Sequence, residues 1–235
     1  MKKYFDDNGF LVIKKFIDID VINQIKSELD NFTDYDDMMA KDIVWEDEQS
    51  KEYKYIQHIN QYMVESNKLI NTKLINTVTE LLGEEAYFVN MEIHNKSPFK
   101  GTLTPAHQDN FYFQLDPSSA LTAYVPIELH DAEINGGLKF LIGSNKNGVV
   151  DHSAAKVKAF SSLISLDECS AYETYGTKLE AGYIVFHHAN TIHFANPNNS
   201  EFNRRSFSLR FNGFSAKKNV VMSAKYMKNL KVNRG

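Results

Sequence analysis

The segment TPAHQDNFYFQ, residues 104–114, sets His107 and Asp109 two positions apart. On an extended strand two such side chains point to the same side, so both can reach one metal ion. Two imidazoles and one carboxylate on one face of an ion, with the other face open, form the ligand set of non-haem iron(II) oxygenases. Alone, an HxD pair is weak evidence in a chain with eight histidines. An ordinary polar strand would look the same.

A third ligand has to come from elsewhere. Residues 182–211, GYIVFHHANTIHFANPNNSEFNRRSFSLRF, offer His187, His188 and His193, any of which a strand and a tight return could bring to the mouth of a barrel. Arg204 narrows the choice. An enzyme that consumes 2-oxoglutarate must anchor its distal carboxylate, and a guanidinium does so with two parallel hydrogen bonds. Arg204 follows His193 by eleven residues, enough to turn once and return on a neighbouring strand. Along RRSFSLRF the alternation puts Arg204, Ser206, Ser208 and Arg210 on one face, and Arg205, Phe207, Leu209 and Phe211 on the other. His193 with Arg204 is therefore the preferred pairing, and His187 and His188 are expected in supporting or surface positions.

These residues need elements to carry them. GFLVIKKFI reads as a short strand, and 18–32 as a helix with Val21, Ile22, Ile25 and Leu29 at helical spacing and Asp18 or Asp20 as its cap. The charged stretch 36–53 reads as a loop or mobile cover, with Trp45 able to fold over the site or anchor the loop. A second helix is expected over 66–82, ending at Gly83. From Ala86 short period-2 segments alternate with turn signals such as NGG, GSNKNG and NPNNS. That pattern predicts a mainly β fold with flanking helices: a jelly-roll, or double-stranded β-helix, barrel with N-terminal helices outside. One domain, 1–235, is the economical reading, with 1–85 mostly helical support and 86–215 the core. An excursion at 151–180, helical around Val157–Leu163, interrupts the core and is a candidate lid with His152.

Composition excludes several classes. With 235 residues, 43% hydrophobic and 24% charged, the chain can bury a sizeable core. A net charge of −4 gives no reason to expect a nucleic-acid or anionic-membrane partner. One cysteine, Cys169, rules out an intrachain disulfide and a zinc–thiolate cluster; it has no activating neighbours and is read as inert. No signal peptide or spanning segment is evident, so a cytoplasmic setting and a monomer or homodimer acting on a small molecule are expected.

Taken together, PAHQDNFYF, ALTAYVPIELHDAEINGGLKFLIGSNKNG, AGYIVFHHANTIHFANPN and RRSFSLRF resemble the phytanoyl-CoA dioxygenase family of iron(II)/2-oxoglutarate oxygenases, which includes ectoine hydroxylase-like enzymes. FDDNGFLVIKKFI resembles the usual start of that family. The resemblance implies His107, Asp109 and His193 as iron ligands and Arg204 as the 2-oxoglutarate anchor. Iron(II), 2-oxoglutarate and dioxygen are the implied cofactors, and succinate and carbon dioxide are released as a substrate C–H is hydroxylated. Tyr124 stands where many relatives have a tryptophan against the cosubstrate. Asn90, Glu92 and His94 alternate on the preceding strand, with His94 and Ser206 assigned to the cosubstrate and Asn90, Glu92 and Arg210 to a small polar or zwitterionic substrate. Phe111 and Phe113 are expected to wall the substrate pocket, with Tyr112 facing away.

Three departures matter. Ala195 replaces a serine that often touches 2-oxoglutarate, a loss that Ser206 or Thr191 could cover. Ile142 and Asn145 replace a usual proline and histidine. Retention of Asp109 disfavours halogenation. The other readings are a cupin-like binding or sensing protein without turnover, and an oxygenase that desaturates or cyclises its substrate.

Overall fold

The computed structural model describes residues 1–33, 35 and 40–234. A seven-stranded antiparallel sheet runs in the order 10–13, 184–188, 120–126, 204–213, 86–96, 52–57 and 43–47. A four-stranded antiparallel sheet runs 174–176, 138–141, 193–195 and 104–107. The two form the layers of a jelly roll. Two smaller pairs complete the β-structure: 130–131 with 178–179, and a hairpin of 153–157 with 160–163.

Helices cover the outside of the larger sheet. Ile19–Asp30 is capped by the Asp18 carboxylate, which accepts from the Asp20 N–H at 2.9 Å, and it buries Ile22, Ile25 and Leu29. Thr72–Leu82 is capped by Asn71 and closed by Gly83 at φ 76°, whose N–H donates to Thr79 O at 2.9 Å. Leu74, Val78 and Leu81 join that first stripe in one core with Met91, Ile93, Phe186, Phe207, Leu209 and Phe211 from the sheet. The alternation read along 204–211 is thereby realised. Its apolar residues meet the helices, and Arg205 pairs with Asp30 and Glu128 beside them.

Several expectations need correcting. The first 85 residues, read as mostly helical support, also supply three strands of the larger sheet. Within the stretch read as a loop, 43–47 is an edge strand of the larger sheet and 52–57, its inner neighbour, begins, while 36–39 lies outside the described residues. Trp45 packs edge-on to Tyr35 with ring centroids 5.6 Å apart, so it anchors this edge. The helix expected over 66–82 breaks into a 3-10 turn, Glu65–Leu69, and the helix Thr72–Leu82, because Asn71 is spent as a cap. Residues 153–163 form a hairpin, not a helix, turning at Ala159 with φ 73°. Lys2–Asn8 and Val220–Arg234 are helices near the two ends of the described chain. No described helix is long and apolar enough to cross a membrane.

Candidate metal centre

In the smaller sheet His107 lies directly opposite His193. The chain then leaves the strand at Gln108, which is fully buried and held on three sides. Its Nε2 donates to Asn190 O at 2.6 Å and Gly148 O at 2.8 Å, and its Oε1 accepts from the Val150 N–H at 2.9 Å. A short helix, Asp109–Phe113, begins at once. This turn carries the Asp109 carboxylate across to the two imidazoles. Its Oδ1 lies 3.7 Å from His107 Nε2 and 3.7 Å from His193 Nε2. One donor atom from each residue falls within 4.8 Å of the others.

Neighbouring groups set which atoms are presented. His107 Nδ1 lies 2.7 Å from Pro105 O, and His193 Nδ1 lies 3.0 Å from Thr191 O. A carbonyl only accepts, so each Nδ1 carries the proton and each Nε2 keeps its lone pair for a metal. Asp109 Oδ2 accepts from Thr122 Oγ1 at 2.6 Å and from His187 Nε2 at 3.1 Å, leaving Oδ1 toward the histidines. Burial pushes His107 and His193 below the usual histidine range, His193 well below it, which keeps both imidazoles neutral. Burial alone would raise Asp109; the imidazoles of His193, His187 and His107 offset it and hold the carboxyl well below its ordinary range.

Arg204 heads a second polar group. It donates to the Tyr124 hydroxyl, which lies 2.8 Å from His130 Nδ1, while His130 Nε2 lies 2.9 Å from Arg205 O. The carbonyl requires the His130 proton on Nε2, so His130 Nδ1 accepts from Tyr124. Burial, and then the Arg204 charge, keep His130 well below its usual pKa and therefore neutral. Arg204 is 3% exposed and pairs with no carboxylate among the described residues, and its Nε is buried without a partner. Lys96 lies directly across the sheet from Arg204 and spends its Nζ on the carbonyls of Thr102, Ala195 and Asn196 at 2.6–3.3 Å. Burial and the Arg204 charge bring it down to about 6.

Both groups open on one cavity of about 800 Å³. Of the residues singled out in the sequence, His107, Asp109, His193, Arg204, Tyr124, His94, Asn90, Glu92, Phe113 and Arg210 line it. Two expected residues do not line it. Phe111 is buried against the His152 ring, with centroids 4.1 Å apart, while Tyr112 faces the cavity. The parity inferred for a strand fails because the chain is helical from Asp109. Ser206 is fully buried with an unpartnered Oγ, and it is not part of the lining. Nor does Thr191 stand in for the serine lost at Ala195, since its hydroxyl donates to Gly9 O at 2.6 Å. His187 supports Asp109, whereas His188 packs near Phe5, away from the trio.

The excursion read as a candidate lid supplies a wall of the cavity, and the part that sequence reasoning missed is the last helix. Ala155, Val157, Lys158, Ala159, Phe160 and Ser161 of the hairpin form one wall, with Tyr226 and Leu230 of the last helix beside them. Asn229 ties these parts together, donating to His152 O at 2.9 Å and Ser162 Oγ at 3.0 Å.

The family model for phytanoyl-CoA dioxygenase matches residues 5–206 of this chain. The chain belongs to the phytanoyl-CoA dioxygenase family. Human peroxisomal phytanoyl-CoA dioxygenase is 24% identical over 228 residues, which span 89% of this chain and 67% of the relative. EctD from S. alaskensis, solved with 2-oxoglutarate and 5-hydroxyectoine, superposes with a TM-score of 0.77 at 21% identity, covering 93% of this chain and 77% of that one. SnoK, a carbocyclase from nogalamycin biosynthesis, superposes at 0.73 with 16% identity, covering 92% and 84%. These structural likenesses carry the fold.

As a member of the phytanoyl-CoA dioxygenase family the protein is a 2-oxoglutarate-dependent dioxygenase using iron(II) and dioxygen. Its residues fit those groups. Two neutral imidazoles and one ionised carboxylate suit iron(II). A buried guanidinium with no carboxylate beside it is costly on its own, and an incoming dicarboxylate relieves that cost. The helix Val220–Arg234 lies beyond the matched family segment.

Proposed function

We propose that this dioxygenase hydroxylates an unactivated C–H bond of a small polar molecule, with residues 1–235 acting as one catalytic domain. His107, Asp109 and His193 hold the iron, and Arg204 anchors the distal carboxylate of 2-oxoglutarate. A cytoplasmic setting, a monomeric or homodimeric state and the lack of a nucleic-acid or membrane partner belong to the same reading. The observation that carries it is the meeting, in one cavity, of three donor atoms within 4.8 Å and a buried, carboxylate-free guanidinium.

Bound iron(II) with 2-oxoglutarate and dioxygen supplies the oxidising power, and the cosubstrate leaves as succinate and carbon dioxide. The chain supplies position and shielding. Thr122 and His187 hold Asp109 Oδ2 so that its other oxygen faces the histidines. The hydrogen-bonded series Arg204, Tyr124, His130 and the Arg205 carbonyl locks the guanidinium in place. The hairpin wall and Tyr226 line the cavity beside the trio and shield that side of it from solvent.

The test is succinate release from the iron(II)-loaded protein, screened over amino acids, small polyols, phosphonates and acyl thioesters. Stimulation by a polar class above the background supports the reading. Stimulation only by acyl thioesters contradicts it.

A further inference from the structure

Arg210 is the second guanidinium of the cavity, and no carboxylate among the described residues pairs with it. It sits on the same strand as Arg204, six residues on, which is about 20 Å along an antiparallel strand. Its Cζ lies 3.6 Å above the Phe113 ring, and its Nε donates to Asn212 Oδ1 at 3.1 Å. Its two terminal nitrogens bond to no described residue, and it forms no ion pair among the described residues. The stacking and the Nε contact aim the guanidinium while leaving free the edge that grips a carboxylate.

Glu92 faces the same space with the opposite charge. Its oxygens meet Asn90 Nδ2 at 3.2 Å and His94 Nε2 at 3.3 Å, and no lysine or arginine among the described residues pairs with it. Across the strands Arg210 lies opposite Asn90 and Ser208 lies opposite Glu92. Arg210 and Glu92 are therefore diagonal neighbours, with backbone positions about 7–8 Å apart. Two opposite charges at that spacing, in a half-enclosed cavity, would be expected to join in an ion pair. They do not. Each is held back by its own neighbours: Arg210 by Phe113 and Asn212, Glu92 by Asn90 and His94.

We propose that the substrate is a small zwitterion of the amino-acid class, its carboxylate gripped by Arg210 and its ammonium group by Glu92. The inference rests on the oxygenase reading above and adds to it the charge pattern of the substrate. Separate guanidinium anchors at Arg204 and Arg210 also keep cosubstrate and substrate apart: two carboxylates enter one cavity and each has its own cation. Asn90, between Glu92 and Arg210 on the cavity face, adds a neutral donor to the substrate's polar end.

The test is calorimetric titration of protein loaded with manganese(II) and 2-oxoglutarate, so that binding is read without turnover. The probes are small α- and ω-amino acids, each with its carboxamide and its N-acetyl derivative. At least one amino acid binds, and neutralising either end weakens it about tenfold or more, as expected for losing a charge-assisted contact. Arg210→Gln makes acid and carboxamide equal, Arg210→Lys restores part of the difference, and Glu92→Gln makes free and N-acetylated compounds equal. If no probe binds, if wild type does not discriminate, or if the variants discriminate as wild type does, the inference is overturned. Basal succinate release by the iron-loaded wild type judges the parent reading separately. Release without zwitterion selectivity sinks only this inference, whereas no release under any condition sinks the oxygenase reading.

Discussion

The strand 204–213 has two faces that do different work. One presents Phe207, Leu209 and Phe211, all fully buried against the helices that cover the larger sheet. The other presents Arg204, Ser208 and Arg210 to the cavity, and neither guanidinium is paired with a carboxylate among the described residues. The first face gains stability by removing apolar area from water. The second sacrifices stability, since an unpaired buried guanidinium is among the costlier features a fold can carry. Stability and affinity should therefore respond separately to mutations on the two faces of this one strand.

The largest effect is expected on the apolar face. Phe207→Ala should cost about 3–5 kcal/mol of folding stability, read as a lowered denaturation midpoint, while 2-oxoglutarate affinity of the remaining folded protein stays within about threefold. Arg204→Ala should do the converse. Its KM for 2-oxoglutarate should rise about 100-fold, with a denaturation midpoint equal to or above that of wild type. If both variants lose stability and affinity together, the division of labour between the faces is wrong.

A smaller effect concerns the cover. His152 Nε2 accepts from the Gln108 N–H at 3.1 Å, and burial lowers its pKa to about 4. The folded state thus refuses a proton that the unfolded chain takes up near 6.5. The resulting stability is fully present above about 6.5 and is lost as pH falls towards 4. Between pH 7 and pH 5 it should amount to something on the order of 2 kcal/mol, measured by denaturant titration at both values. His152→Gln should flatten that dependence. The smallest effect is expected at Tyr124→Phe, which removes one link to Arg204 and should raise the KM for 2-oxoglutarate about threefold to tenfold without moving stability by more than about 1 kcal/mol.

The same contrast explains what was legible in the sequence. The grouping of His107, Asp109, His193 and Arg204 about one cavity could be read because few chemistries need those types at that spacing. The alternation along 204–211 could be read because both faces are unambiguous. The walls could not. The Asp109–Phe113 helix gives no sign of itself in DNFYF, so strand parity placed Phe111 at the pocket and Tyr112 outside, the reverse of what is found. The hairpin 153–163 turns at Ala159 with φ 73°, without the glycine or asparagine that usually marks such a turn. The strand 43–47 carries charge because it is the edge of the larger sheet, where an edge tolerates it. The last helix was overlooked because MSAKYMKNLKVNR lacks a clear apolar stripe, although Tyr226 and Leu230 reach the cavity.

The central claim is that His107, Asp109 and His193 bind iron(II) beside a cosubstrate anchored by Arg204. The most direct measurement is anaerobic visible absorption on adding iron(II) and 2-oxoglutarate to wild type, Asp109→Ala and Arg204→Ala. Wild type should show a weak charge-transfer band that is absent from the Asp109 variant and needs far more 2-oxoglutarate in the Arg204 variant. A band of the same strength and 2-oxoglutarate dependence in all three proteins would contradict that claim.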